Sequence, residues 1–302
     1  MELGRTMQRE IKRMKEYEGT MKLKVSNQVP LLKYKKFEEI EFIRHAFSTR
    51  MGGVSESIYS SMNFKEDGED SNDNIRENYR RIADGLGCDV RKMVRSQLCH
   101  GTRVHEVVPA DFGVGALAKS TLLDYDGLIT NISGVTLVAT FADCVPLYFV
   151  DEEHHAIGLA HSGWRGTVDR IALHMIEVMH QSYGTEPEQL QVAIGPCICG
   201  DCYEVGAELR DVFTGDFSGE IERQTGISFE KEICRKLDTV NDQEKYLLDL
   251  RKANLMTFLH AGIPRKQILV SDVCTCCNPD LIFSHRYTKG KRGCSAAFLG
   301  IK

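Results

Sequence analysis

Ala156-Ile-Gly-Leu-Ala160-His-Ser-Gly-Trp-Arg165-Gly-Thr167 runs from a strand-like apolar stretch through a glycine-hinged turn toward a helix-like segment that begins near Val168. A histidine, the only tryptophan and an arginine share that turn. Upstream, the apolar run Val135 to Ala142 also ends in reactive groups, at Asp143-Cys144-Val145-Pro146. Two predicted strand ends therefore offer a thiol and an imidazole. In α/β proteins such groups collect where strands give way to loops, because the sheet fixes the backbone while the loop exposes side chains.

Working outward, the flanking patterns alternate between strand and helix. Val168, Ile171, Ala172, Met175 and Met179 recur at helical spacing before Gly184, which predicts an amphipathic helix with its methionines in the core. Strands are expected over Thr102 to Val108, Asp126 to Thr130, Gln191 to Ile194, Gln267 to Val270 and Ser295 to Ile301. Helices are expected from Ile75 to Leu86, ended by Gly87, and from a cap at Asp249 to about His260. The polar, poorly patterned stretch 214–245 reads as an insertion or mobile excursion. Residues 1–22 are mostly charged and read as an N-terminal appendage, leaving one domain over 23–302. The fold class is α/β (mixed α+β): a single layered domain with a central mixed β-sheet flanked by helices.

Composition narrows the functional classes. The 302 residues are 42% hydrophobic and 27% charged, ordinary for a globular chain. A formal net charge of −5 lacks the basic excess that phosphate-backbone binding needs, so nucleic acid is not an expected partner. No apolar run approaches the roughly 18 residues of a membrane span, and the first residues are charged, so no membrane is expected and the cytoplasm is the expected compartment. Eleven cysteines in a reducing compartment call for metal binding, catalysis or burial rather than disulfides.

His100, Cys144 and His161, all at or near strand boundaries, form a candidate His2Cys zinc site with an open fourth position, an arrangement suited to catalysis. Two other readings stand beside it. Cys144 can be a small buried hydrophobe with structural histidines around it, or a thiolate nucleophile activated by His161. Arg50, Arg165 and Arg286 lie in loop-like stretches, with His285, Lys289 and Lys291 near the last, and are candidates for an anion site. The clusters Cys197-x-Cys199-x2-Cys202 and Cys274-x-Cys276-Cys277, with Cys294 beyond, are read by default as buried or loop thiols. Adjacent Cys276 and Cys277 cannot easily face one ion, and the clusters are read as lacking the paired spacing of zinc ribbons. A Pro-Cys-x-x-Cys deaminase fingerprint, a Walker loop and a GxGxxG turn are all absent.

Several motifs occur in one order: Ser48-Thr-Arg50-Met-Gly-Gly53-Val-Ser55, His100-Gly101, Asp126-Gly-Leu-Ile-Thr130, Phe141-Ala-Asp-Cys144-Val-Pro146, His161 to Thr167, Ile194-Gly-Pro196 with Tyr203-Glu-Val205, and Cys274-Thr-Cys-Cys-Asn-Pro279 with Phe283-Ser-His-Arg286. Together they resemble the YfiH-like family, long called multicopper polyphenol oxidases or laccase-domain proteins and understood as zinc-dependent purine nucleoside phosphorylases. The resemblance covers roughly residues 23–302. It implies zinc ligands at His100, Cys144 and His161, and phosphorolysis of adenosine, inosine, guanosine and methylthioadenosine with an accompanying adenosine deaminase activity. Partners implied are purine nucleosides and inorganic phosphate, with a homodimer as the candidate assembly. Attack by phosphate held on Arg50, Arg165 or Arg286 would expel the purine; in the deaminase reaction Asp126 and Asp143 are the candidate proton carriers. Two positions depart from the family: Leu98, where glutamine is common, and Gly293-Cys294, where Gly-Arg is common. The alternatives are a cysteine hydrolase or cell-wall precursor editing factor, a copper polyphenol oxidase, and a metal-binding regulator without catalysis. Copper is the weaker expectation, because laccase chemistry needs several histidine-rich sites and the chain has ten histidines without a His-x-His pair.

Overall fold

A computed structural model of the chain describes residues 11–237 and 244–302. The expected single sheet is two six-stranded mixed sheets, with a small third one beside them. The first runs β1 (Met21–Ser26), β2 (Val29–Tyr34), β3 (Ile43–Ser48), β15 (Ser295–Ile301), β7 (Thr136–Phe141), β4 (Met93–Arg95). The second runs β14 (Ile268–Val270), β10 (Leu190–Ile194), β8 (Val145–Asp151), β9 (Ala156–Ser162), β6 (Gly127–Thr130), β5 (Val104–Glu106). The third comprises β11 (Glu204–Gly206), β13 (Lys245–Leu248) and β12 (Cys234–Lys236).

Side-chain alternation shows how the layers stack. In β7, Leu137, Ala139 and Phe141 join one core cluster while Val138 joins another; in β15, Ala297, Leu299 and Ile301 separate from Ala296 and Phe298 in the same way. In β8, Tyr148 and Val150 share the first of these clusters, while Leu147 and Phe149 face a third. The shared cluster therefore lies between the two large sheets. Helix α1 (Asn72–Leu86) covers the outer face of the first sheet through Ile75, Tyr79 and Ile82. After α2 (Trp164–Val168), α3 (Ile171–Tyr183) covers the outer face of the second through Met175 and Met179. Because strands in both sheets are buried on two faces, they read as nearly continuous apolar runs rather than alternating ones. Period alone therefore did not separate one central sheet from two stacked ones.

Two segments differ from expectation. The described part of 214–245 is packed: α4 (Ala207–Phe217), α5 (Glu220–Thr225) and the turn Phe229–Ile233 bury Phe213, Phe217, Ile221, Phe229 and Ile233 in the core that also holds α6 (Leu250–His260). Those apolar residues are spread too widely among charges for a clear period, so the stretch resembled an excursion. Residues 238–243 lie outside the described residues. Of the 1–22 appendage, 1–10 lie outside the described residues, whereas from Ile11 onward the chain is docked. Met14 N–H donates to the Asp272 carbonyl at 2.8 Å, Arg13 pairs with the Asp272 carboxylate, and Tyr17 and Met21 are buried. Anchoring by a few side chains escapes a composition argument. The last described helix, α7 (His285–Thr288), is a single turn started by the Ser284 hydroxyl. No helix among the described residues is long and apolar enough to cross a membrane.

Neighbouring strands β8 and β10 are clamped where the second gives way to the cysteine-rich loop: Gly195 N–H donates to the Pro146 carbonyl at 2.7 Å. A Cβ on Gly195 would lie 2.6 Å from Pro146 Cγ, on a ring that cannot rotate away. Gly195→Ala is expected to destabilise the protein by about 1–3 kcal/mol, the usual cost of overpacking. Urea unfolding measures it; an unchanged midpoint would contradict the tight contact.

Candidate active site

Three adjacent strands of the second sheet line up the site. Asp126 immediately precedes β6, whose Gly127 pairs with Ala160 of β9, so the next residue along β9, His161, falls opposite Asp126. His161 N–H donates to the Asp126 carbonyl at 2.7 Å. On the other side of β9, His161 pairs with Pro146 of β8, placing Cys144, just before β8, beside it. His100 arrives from the loop between β4 and β5. The ligand atoms of His100, Cys144 and His161 all lie within 4.8 Å of one another.

The Asp126 carboxylate ties this arrangement together. It accepts the backbone N–H groups of Cys99 (3.0 Å), His100 (3.1 Å) and Gly101 (3.0 Å), and it engages His161 Nδ1 at 2.8 Å. With Nδ1 occupied, His161 is left with Nε2 for the trio, the carboxylate–histidine pairing typical of metal ligands. His100 itself sits at φ +63°, in the left-handed region that non-glycine residues rarely adopt. Space is equally constrained at Gly163: a Cβ there would lie 3.0 Å from His100 Cδ2 and 3.3 Å from Cys144 Sγ. Glycine is required here by crowding, not by its dihedral freedom.

The electrostatics are those of an ionised cluster. Burial disfavours the Asp126 charge, yet the hydrogen bond and charge of His161, with N–H groups of Gly101 and Cys99, hold its pKa down to about 2. Burial likewise opposes a thiolate at Cys144, but the charge of His161 and hydrogen bonds from both imidazoles bring it down to about 6. Against its own desolvation, His161 is lifted to about 9 by the Cys144 thiolate and by Asp126. Two imidazoles and a thiolate, with a carboxylate behind one ring and one side facing a cleft, fit zinc in a three-ligand site.

That cleft has two lobes meeting at His100, Cys144 and Arg292. One, of about 390 Å³, is walled by Trp164, Arg165, Tyr203, His285 and Arg286 among others. The other, of about 440 Å³, adds Arg95, Leu98, Lys119 and His161. Both volumes suit a small-molecule ligand.

Residues 44–302 match the family model described as multi-copper polyphenol oxidoreductase laccase. The chain belongs to this laccase-like family. Among its relatives, purine nucleoside phosphorylase YlmD of Bacillus subtilis is 34% identical over 257 residues, 85% of this chain and 87% of that protein. Adenosine deaminase RL5, from an unknown prokaryotic organism, is 30% identical over 259 residues, 83% of this chain and 93% of that one. The crystal structure of the Bacillus licheniformis hypothetical protein YfiH superposes with a TM-score of 0.81 at 31% identity, covering 92% of this chain and 97% of that one. YlmD from Geobacillus stearothermophilus gives 0.79 at 33%, covering 90% and 96%.

Within this laccase-like chain the sequence-nominated residues divide. His100, Cys144 and His161 converge, and Arg165 and Arg286 line the same cleft. Arg50 is not among the lining residues: its Nε donates to the Ser60 carbonyl at 2.9 Å and its Nη1 to the Pro279 carbonyl at 2.9 Å, with its guanidinium over the Phe283 ring. Backbone carbonyls have claimed the cation expected for phosphate. Neither Lys289 nor Lys291 lines the cleft. Trp164 lines it with one face under the Arg165 guanidinium, 4.2 Å from the ring centre, while also packing on the core. Neither candidate proton carrier is free. Asp126 is committed as above, and Asp143, at φ +88°, accepts Thr275 Oγ1–H and Arg286 N–H, each at 2.6 Å.

Arg292 was missed by sequence reasoning, though it stands immediately before the Gly293-Cys294 departure. It faces both lobes, so a guanidinium remains on the wall where one was expected to be lost. Tyr203, quoted only as part of a motif, also forms the wall.

Two outcomes follow. Asp126→Asn should weaken metal retention about 10- to 100-fold, measured by competition with a chromogenic chelator; unchanged retention would contradict the role of the carboxylate. Between pH 6 and 9 the metal-free pair is a thiolate beside an imidazolium, and a metal ligand must be a neutral imidazole. Zinc uptake should therefore release one proton from His161 in this window, with affinity rising about tenfold per pH unit and levelling above pH 9. An affinity flat across that range would contradict the assignment.

Proposed function

We propose that this chain is a zinc-dependent purine nucleoside phosphorylase of the cytosol. It cleaves adenosine, inosine, guanosine and methylthioadenosine with inorganic phosphate, giving the free base and ribose 1-phosphate or methylthioribose 1-phosphate. Adenosine deamination is a second activity of the same site. The observation that carries this reading is the single cleft in which His100 and Cys144 meet the guanidinium groups of Arg165, Arg286 and Arg292. The relatives named as purine nucleoside phosphorylases and as an adenosine deaminase support it.

The parts suit that chemistry. His100, Cys144 and His161 would hold a zinc ion, which would supply Lewis acidity next to the substrate. Arg165 and Arg286 hold phosphate through charge-assisted hydrogen bonds and partly neutralise it as one oxygen attacks the anomeric carbon. The bond from that carbon to the purine nitrogen breaks with its electron pair going to the base, which takes up the proton that the hydrogen phosphate gives up on becoming the ester. Trp164 and Tyr203 offer flat apolar faces on the wall for the purine and exclude water from one side. Arg286 is held for its task from behind, its Nη2 donating to the Glu204 carbonyl at 3.0 Å and its N–H to Asp143. A copper oxidase is not favoured: among the described residues, only one potential metal-binding group includes histidine.

A second reading, a cysteine hydrolase, is favoured by the depressed Cys144 pKa beside the raised His161. Base release from inosine and adenosine, with and without phosphate, separates the two. Phosphate-dependent release that disappears in Cys144→Ala and after chelation is expected; release indifferent to phosphate, or activity untouched by chelators with Cys144 alkylated, would favour the hydrolase. Arg286→Ala should raise the KM for phosphate about 10- to 100-fold, matching roughly 1.5–3 kcal/mol for hydrogen bonds to a charged group. Initial rates against phosphate concentration test this, and an unchanged KM would remove Arg286 from the anion site.

A further inference from the structure

The loops that leave β10 and β14 carry a second cluster of sulfur atoms, apart from the His100, Cys144 and His161 trio. Cys199, Cys202, Cys274 and Cys277 have all their Sγ atoms within 4.8 Å of one another. Cys202 Sγ and Cys277 Sγ are 3.5 Å apart, and Cys199 Sγ and Cys277 Sγ 3.9 Å. A tetrahedral zinc with Zn–S bonds of about 2.3 Å has S···S edges of about 3.8 Å. These separations suit that tetrahedron, and they exceed the roughly 2.05 Å of a disulfide. We propose that these four cysteines form a closed tetrathiolate site for a structural zinc ion.

The sequence contains the required pairing in disguise. Cys199-Gly-Asp-Cys202 and Cys274-Thr-Cys-Cys277 are each a C-x2-C knuckle, masked by the extra Cys197 and Cys276. The reading that paired spacing was missing is thereby corrected. Cys197 is excluded because its side chain is buried in the core with Val192 and Phe258. β10 and β14 are parallel neighbours, so both knuckles leave the same end of the sheet. The ladder continues past the strands through a bridge between Cys197 and Cys274.

Three further features suit thiolates rather than four neutral thiols. Cys274 Sγ accepts the backbone N–H groups of Cys199 at 3.2 Å and Cys277 at 3.4 Å, hydrogen bonds that stabilise negative sulfur. Arg251 is fully buried and its positive charge acts on Cys199 and Cys274. The charges that act on it are Cys197 first, then Asp249, Cys274 and Cys199, so a buried cation lies near a cluster that would carry a net −2 with zinc bound. Four ligands leave no open position, the hallmark of a structural site.

Its position gives it a purpose. Tyr203 and Glu204 directly follow Cys202, and Arg286 Nη2 donates to the Glu204 carbonyl at 3.0 Å. Thr275, between two of the cysteines, donates to Asp143 at 2.6 Å, next to Cys144. Zinc here would join the loop that carries Tyr203 to the loop whose Thr275 holds Asp143, and both Tyr203 and Asp143 line the cleft.

The assignment stands on the cysteine cluster and its surroundings and not on the nucleoside reading, so its test reads metal and thiols rather than activity. Elemental analysis of the purified full chain should give two zinc ions per chain, one in Cys144→Ala, and none in Cys144→Ala with Cys277→Ser. A folded Cys144→Ala protein devoid of zinc would overturn the proposal, as would iron in its place. Should the double variant fail to fold, alkylation of the unmutated protein followed by peptide mass spectrometry gives an independent result. Cys199, Cys202, Cys274 and Cys277 should be protected together and released together by chelator. Chelator-independent labelling of the four, or recovery of Cys202 and Cys277 as a disulfide, would overturn it.

Discussion

The Asp126 carboxylate is the constraint on which the site depends. It takes hydrogen bonds from three successive backbone N–H groups of the His100 loop and from the His161 ring, so one buried charge fixes a loop and a side chain at once. Its own position is set by the β6–β9 ladder, which places it opposite His161. That ladder, in turn, is held between the intersheet core and the layer led by α3. Sheet register, hydrogen bonding and ligand geometry are thus successive links of one chain.

The sequence disclosed the local elements better than their assembly. The strand-turn-helix at 156–183 was legible because its apolar residues change from a strand run to a helical spacing across the glycine hinge. Helix α6 was legible from its Asp249 cap, whose carboxylate accepts the N–H groups of Arg251 and Lys252. Stacking of two sheets was not, since burial on both faces removes the alternation that would have marked an outside. The segment around Phe213, Phe217 and Ile221 was misread for a related reason: its core contacts come from scattered residues within charged surroundings.

Among the site residues, the donors were easier to find than the anion-binding groups. Spacing alone left Cys144 open to burial or nucleophilic roles, and the family resemblance singled out His100, Cys144 and His161, whereas an arginine does not announce whether its guanidinium faces ligand or backbone. Arg50 shows the ambiguity: its loop-like stretch made it a candidate for the anion site, yet its donors are spent on the Ser60 and Pro279 carbonyls. Arg292 shows the converse. Two residues before Cys294, where the family commonly has arginine, it supplies charge to both lobes, and only side-chain direction distinguishes the two cases.

Two site residues, His100 and Asp143, occupy left-handed backbone where side chains other than glycine are disfavoured. Both are restrained by hydrogen bonds from elsewhere in the chain, His100 through its N–H to Asp126 and Asp143 through Thr275 and Arg286. The fold therefore gives up some conformational energy locally in order to present its ligands, and the surrounding core offsets it. Evolution toward a more robust protein and evolution toward a better site pull in opposite directions at His100, whose N–H rather than its ring makes the restraining bond. A lineage selected only for heat tolerance would gain by putting glycine or asparagine there, and would lose the imidazole that makes the cleft chemically distinctive.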